Sequence, residues 1–218
     1  MKVRTLYAFL LTLISFVTAA AQDRPSGGPT AADFFYRAPL GVASGLSEIS
    51  RLDMVDYFNH GSSVKNENRL GQKVGLKALR DELIVWQDDD SVTTAIGVVP
   101  TQKGDTVLVV IRTVCTPLTD SELTAYDKSW QPLSDKVLPQ PALKDWVTST
   151  DRRVIAQIED ALPFMLVTAE YAPETKEIIL KNRTSSYFAA SDTPDALAYL
   201  KKELRYQWNG SMFKPVGK

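Results

Sequence analysis

Residues Glu82 to Thr116 read ELIVWQDDDSVTTAIGVVPTQKGDTVLVVIRTVCT. Three runs in this stretch have the period-two character of pleated strands: Glu82–Gln87, Val92–Val99 and Thr106–Thr116. Asp88-Asp89-Asp90 and Gln102-Lys103-Gly104-Asp105 separate them and carry turn chemistry. Val107 to Ile111 is an unbroken apolar run, so this strand is expected at the centre of its sheet and covered on both faces. A fourth strand is expected at Leu123–Tyr126. Asp127-Lys128-Ser129 then turns the chain towards Trp130–Leu133, and Pro139 and Pro141 end the block.

Towards the N-terminus, Ser47 to Asn59 reads as a helix, with Ser47 as its cap and Gly61 just past its last turn. Ile49, Leu52, Val55 and Phe58 are expected to form its apolar face, with Asp53, Asp56 and His60 opposite. Leu70 to Arg80, which contains Gly71 and Gly75, fits no single element. Towards the C-terminus, Ser149 to Leu162 reads as a second helix stopped by Pro163. Its apolar residues are Val154, Ile155, Ile158 and Leu162. Phe164–Tyr171 and Lys176–Lys181 form a hairpin across Ala172-Pro173-Glu174-Thr175. Asp192 to Glu203 reads as a third helix with Pro194 near its start. Tyr206–Met212 carries the hairpin dipeptide Asn209-Gly210 and is completed by Phe213–Val216. Tyr126…Trp130-Gln-Pro-Leu133 is echoed by Tyr206…Phe213-Lys-Pro-Val216, so a strand and helix unit used twice is one arrangement to test. The class is α+β, with mostly antiparallel sheet of about eight strands and about three helices. We expect a single domain over residues 34–218, with 34–148 and 149–218 as its sub-lobes if the echo reflects two related units.

The first residues carry an export pattern. Lys2 and Arg4 precede the apolar stretch Leu6–Val17, and Ala19-Ala20-Ala21 supplies small residues for cleavage. The expectation is a signal peptide over residues 1–21, then a flexible leader over 22–33 (QDRPSGGPTAAD in the mature chain). The exported chain belongs in the periplasm or on the outer surface, with no membrane span left after cleavage. The formal net charge is −1 over 218 residues, which gives no field for nucleic acid or an anionic membrane. One Cys excludes an internal disulfide framework and a four-Cys zinc site, and one His excludes every two-His metal motif. Cys115 lies in an apolar strand and is expected to be a small buried hydrophobe.

Arg51-Leu52-Asp53-Met54-Val55-Asp56-Tyr57-Phe58, Asp105–Val110 and Thr113-Val114-Cys115-Thr116-Pro117 together carry a resemblance. Ser121, Tyr126 and Trp130-Gln131-Pro132-Leu133 follow at the matching distance. The chain resembles a group of secreted Bacteroidetes proteins, the domain of unknown function 3256. The resemblance implies an address and a fold and supplies no catalytic residues, because the family has no established activity. It also draws attention to Asp90-Ser91-Val92 and Asp105-Thr106-Val107, which are similar to the short O-glycosylation acceptor of that phylum.

Several constellations bear on chemistry. Asp53, Asp56 and His60 fall at i, i+3 and i+7, so one helical face would present two carboxylates and an imidazole, a set that suits a divalent metal or an acid–base pair. A solvated polar face, or an ion pair of Arg51 with Asp53 or Asp56, explains the same spacing. Asp88-Asp89-Asp90 lacks the glycine and glutamate of a calcium loop and reads as a turn. Ser62-Ser63-Val64-Lys65 matches S-x-x-K, but no Lys-Thr-Gly, Lys-Ser-Gly or Ser-Asp-Asn accompanies it. No G-x-G-x-x-G or P-loop pattern occurs, so nucleotide binding has no support; no cofactor is expected and no metal site is assigned. Among the aromatic residues, Tyr126, Trp130 and Trp208 are the candidates for exposed ligand-binding faces. Capping the core at the sheet's edge is the plainer role for any of the four rings, Trp86, Trp130, Trp146 and Trp208.

These readings favour a non-enzymatic exported module that binds an envelope protein or a glycan. The alternatives are a hydrolase acting on envelope material through Asp53 and Asp56, and a structural part of an envelope assembly held by its sheet edge.

Overall fold

The protein, seen in a computed structural model, is described over residues 28–62, 66–162, 164–189 and 191–217. Two helices lead, α1 (Ala31–Tyr36) and α2 (Glu48–Asn59). Six strands follow: β1 (Asn66–Glu67), β2 (Lys73–Arg80), β3 (Leu83–Gln87), β4 (Val92–Pro100), β5 (Thr106–Val114) and β6 (Asp120–Asp127). Each pairs antiparallel with the next, so the sheet order is the chain order. Two more helices, α3 (Leu143–Trp146) and α4 (Arg152–Ala161), lead to a second antiparallel sheet. Its strands are β7 (Val167–Ala172), β8 (Glu177–Asn182), β9 (Glu203–Trp208) and β10 (Phe213–Pro215), in the order β10-β9-β8-β7. The class is α+β. Among the described residues, no helix is long and apolar enough to cross a membrane.

The apolar run in β5 explains the layering. Val107, Val109 and Ile111 point into a core shared with Ala169, Tyr171, Ile178 and Leu180 of the second sheet. Leu108 and Val110 point the other way, into a core closed by Phe34 and Phe35 of α1 and Met54 and Val55 of α2. All five of these β5 residues are buried. Each such side chain contributes about 1.5–3 kcal/mol of transfer free energy. The six-stranded sheet is therefore the middle of three layers, between the N-terminal helices and the four-stranded sheet.

Two close approaches fix the outer sheet on the inner one. The Tyr171 ring of β7 lies over Gly97 of β4, where an added Cβ would sit 2.5 Å from Cδ1 of the ring. The Tyr171 hydroxyl donates to the Val98 carbonyl at 3.3 Å. At the far end, the Trp208 indole N–H donates to the Pro100 carbonyl at 2.7 Å. The Gln102 backbone N–H donates to the Gly210 carbonyl, and its side-chain amide to that of Asn209, both at 3.1 Å. Gly210, at φ +94, leaves no room for a side chain against Gln102.

Several expectations change. The helix expected over Asp192–Glu203 does not form. A short 3-10 turn covers Asp195–Tyr199, and Glu203 already begins β9. Tertiary contacts draw this chain out: Leu200 bridges Val147, Thr148 N–H donates to the Tyr199 carbonyl, and Lys201 N–H donates to that of Trp146. Trp130–Leu133 is not a strand. It keeps one bridge, Tyr126 to Pro132, and places Trp130 at φ +62. Its echo, Phe213-Lys-Pro, is a paired strand, so the two segments differ in conformation. Leu70–Arg80 yields β2. The second long helix starts later than expected, at Arg152, capped by Asp151. The signal peptide, residues 22–27 of the leader, Ser63-Val64-Lys65 of the S-x-x-K match and Pro163 lie outside the described residues.

Candidate functional site

Helix α2 carries the residues first suspected of chemistry. The Ser47 hydroxyl accepts from Ser50 N–H at 3.0 Å and starts the helix, while His60 is its C-cap. The face buried against the sheet is Arg51, Met54 and Val55. The expected stripe fails except at Val55: Ile49 is 71% exposed, Leu52 46% and Phe58 39%. The cause is geometric. At 3.6 residues per turn, a strict every-third spacing drifts backwards about 60° per step. Ile49 and Phe58 therefore end on opposite sides of the helix: Ile49 faces outward, whereas Phe58 falls on the Arg51 and Met54 side and borders a cleft between α2 and β2. Ile49 and Leu52 in fact share the outer side with Asp53, Asp56 and His60, rather than lying opposite them.

The two carboxylates and the imidazole do not converge on a cavity. His60 Nδ1 lies 2.8 Å from the Asp56 carbonyl and 3.3 Å from Asp56 Oδ1, and both side chains are largely exposed. Asp53 is half-buried, and its carboxylate makes no hydrogen bond or ion pair among the described residues. No group of three His, Cys, Asp or Glu side chains among the described residues is placed to hold a metal ion.

Arg51 does something other than pair with Asp53 or Asp56. Its Nη1 donates to the carbonyls of Phe35 at 3.0 Å and Ala38 at 2.7 Å. The Phe35 carbonyl lies in the last turn of α1, where it also accepts from Ala38 N–H at 3.2 Å, and the Ala38 carbonyl lies just past the helix end. Burial pulls the Arg51 guanidinium below its ordinary value, with Glu48 opposing. The residue braces α2 against α1.

The aromatic candidates separate. Trp208, expected to be exposed, is only 8% exposed, and Trp86 and Trp146 are also buried. Trp130 is half-buried, with its ring centroid 5.4 Å from that of Tyr126, also half-buried. Its indole Nε1 is buried without a hydrogen-bond partner among the described residues. Packing against the helical core takes up both rings.

Asp88-Asp89-Asp90 is a turn. Asp89 Oδ1 accepts from Ser91 and Val92 N–H at 2.6 and 2.9 Å. Asp88 is buried and accepts from the Trp86 indole at 2.7 Å and from the Thr94 hydroxyl. Burial pushes its carboxyl above the usual range, against the opposing pull of Thr94, Trp86 and Arg112.

Cys115, expected inside, is exposed just past the end of β5. It lines a groove of about 420 Å³ where the second sheet leaves the inner one uncovered. Leu83, Val85, Ala95 and Ile111 give the groove an apolar surface, β7 lines it from the second sheet, and Arg183 contributes a guanidinium. Sequence reading missed this site because its residues come from four strands and two loops, with no local spacing to join them. A smaller cleft of about 270 Å³ lies between α2 and β2, lined by Met54, Tyr57, Phe58 and Lys77. Neither cavity is lined by Asp53, Asp56 or His60.

The family model described as "Protein of unknown function (DUF3256)" matches residues 26–213. The chain belongs to this family. The match takes in the Arg51–Phe58 segment, the whole β meander and the second sheet up to Phe213. Among solved structures, the chain is similar to a domain of an uncharacterized protein from Porphyromonas gingivalis W83, with a TM-score of 0.73 and 20% identity. The alignment covers 88% of this chain and 100% of that one. At this identity the likeness shows the fold alone. No curated protein matches the chain significantly.

Proposed function

We propose that this protein is an exported, non-catalytic binding module of the bacterial envelope, and that the outer side of α2 docks a basic, apolar segment of another exported protein. The observation that carries the reading is the exposure of Ile49 and Leu52 on a helix whose outer side also holds Asp53 and Asp56. The only basic residue of that helix, Arg51, is turned inward. Among the described residues, Leu40 and Leu70 are further large exposed hydrophobics close to α2 in the chain. The chain ties that region together, with Arg69 N–H donating to the Gly45 carbonyl and the Asn66 amide to that of Ser50. Such concentration marks interaction surfaces, and the acidic rim selects the charge of the partner. A glycan site has less support, because the burial of Trp208 removes one of the expected stacking faces. Export itself rests on the Lys2-to-Ala21 pattern.

The test is stoichiometric co-purification of the tagged full chain from its native envelope, compared with I49E/L52E and D53K/D56K. These outer positions change folding stability by only about 0.5 kcal/mol. Loss of one partner in both variants, with the native fold retained by circular dichroism, is expected. A partner retained by both variants, or none in any sample, overturns the reading.

A further inference from the structure

The groove beside β7 carries its own chemistry. Its apolar surface is formed by Leu83, Val85, Ala95 and Ile111, which come from β3, β4 and β5. Apolar surface left open between two packed sheets has a transfer free energy to gain from a ligand. The charges around it are unequal in their partners. Glu170, which lines the groove, is neutralised by Lys181 Nζ at 2.7 Å. Arg183, which also lines it, donates from Nε to the neutral Thr168 hydroxyl at 3.2 Å. No carboxylate among the described residues lies within ion-pair distance of Arg183. The groove therefore offers an apolar bed and one uncompensated, always-protonated fork of donors. Its volume of about 420 Å³ is in the range of small-molecule sites.

We propose that this groove binds a free single-chain aliphatic carboxylate, with the chain on Leu83, Val85, Ala95 and Ile111 and the carboxylate held by Arg183. The pairing is a charge-assisted contact of guanidinium and carboxylate, and a neutral head group cannot replace it. The inference is independent of docking through α2, which shares no residue with it.

The single thiol supplies the readout, because Cys115 is exposed and lines the same groove. The alkylation rate of Cys115 by iodoacetamide is followed in the full chain with increasing dodecanoate, kept below its micelle concentration. Saturable protection is expected. Dodecanol should protect at least about tenfold more weakly, the lower end expected for a hydrogen bond to a charged group. R183Q should bring dodecanoate to the level of dodecanol and leave dodecanol itself unchanged. A95W, which fills the groove, should abolish protection by both, with circular dichroism reporting its fold. Equal protection by the acid and the alcohol, no effect of R183Q, or no protection at all overturns the proposal.

Discussion

Arg51 and Asp88 are the two buried charges whose partners the structure defines most fully, and their energetics differ. The Arg51 guanidinium satisfies two carbonyls at the end of α1, so shortening it leaves both without that donor. R51A is expected to cost about 2–4 kcal/mol in denaturant unfolding, because breaking a buried polar contact strands the remaining partner. R51K should recover part of this, since an ammonium cannot reproduce the planar fork. A cost below about 0.5 kcal/mol, the level of an ordinary surface change, would contradict the bracing role. Asp88 is held above the usual carboxylate range, first by burial. Its protonated form is favoured by the fold, so its contribution to stability is full below the ordinary Asp value. That contribution is lost as pH rises through the raised folded value. Unfolding measured across the acidic range should show this fall in the wild type and its absence in D88N. Parallel profiles for the two proteins would refute the assignment.

At the scale of elements, the β3–β6 meander was legible because its strands are short β-branched and apolar runs and polar turns at Asp88-Asp89-Asp90 and Gln102–Asp105 separate the first three. Helix α2 was legible as a helix but not in its orientation. An every-third row of apolar residues resembles a face, yet it wraps around the axis, and an arginine occupies the buried side at Arg51. The missing third helix had helical residues and an early proline. Backbone bonds from Thr148 and Lys201 instead draw its C-terminal half towards α3 and β9. No local signal announces a partner that far along the chain. The same is true of Gly97, an unremarkable glycine in sequence whose missing side chain makes room for Tyr171. G97A is expected to destabilise by about 1–3 kcal/mol, the usual cost of overpacking. Y171A/G97A should be less destabilised than the sum of its parts, as expected of residues in contact. Additivity in that cycle would show that the ring does not depend on the glycine.

At the scale of the molecule, the two sheets share one core, and their ends are tied by Trp208 to Pro100 and by Gln102 to the turn at Gly210. Helix α2 was legible beneath Asp53 and Asp56; that these carboxylates line neither cavity was not. The exposure of Ile49 and Leu52 was not, because it depends on which side of α2 meets the sheet. The groove at Arg183 was not legible either, because only the packing of the second sheet on the first creates it. What the whole molecule presents outward is therefore an acidic, apolar helix on one layer and an apolar groove on the other side of the inner sheet. Site-specific photo-crosslinking in the native envelope tests the first of these most directly. A photoreactive residue at Ile49 or Leu52 should capture one protein through a segment rich in Lys, Arg and apolar residues, while the same residue at exposed Lys144 should not. Equal capture from all three positions, or capture from Lys144 alone, would contradict docking through α2.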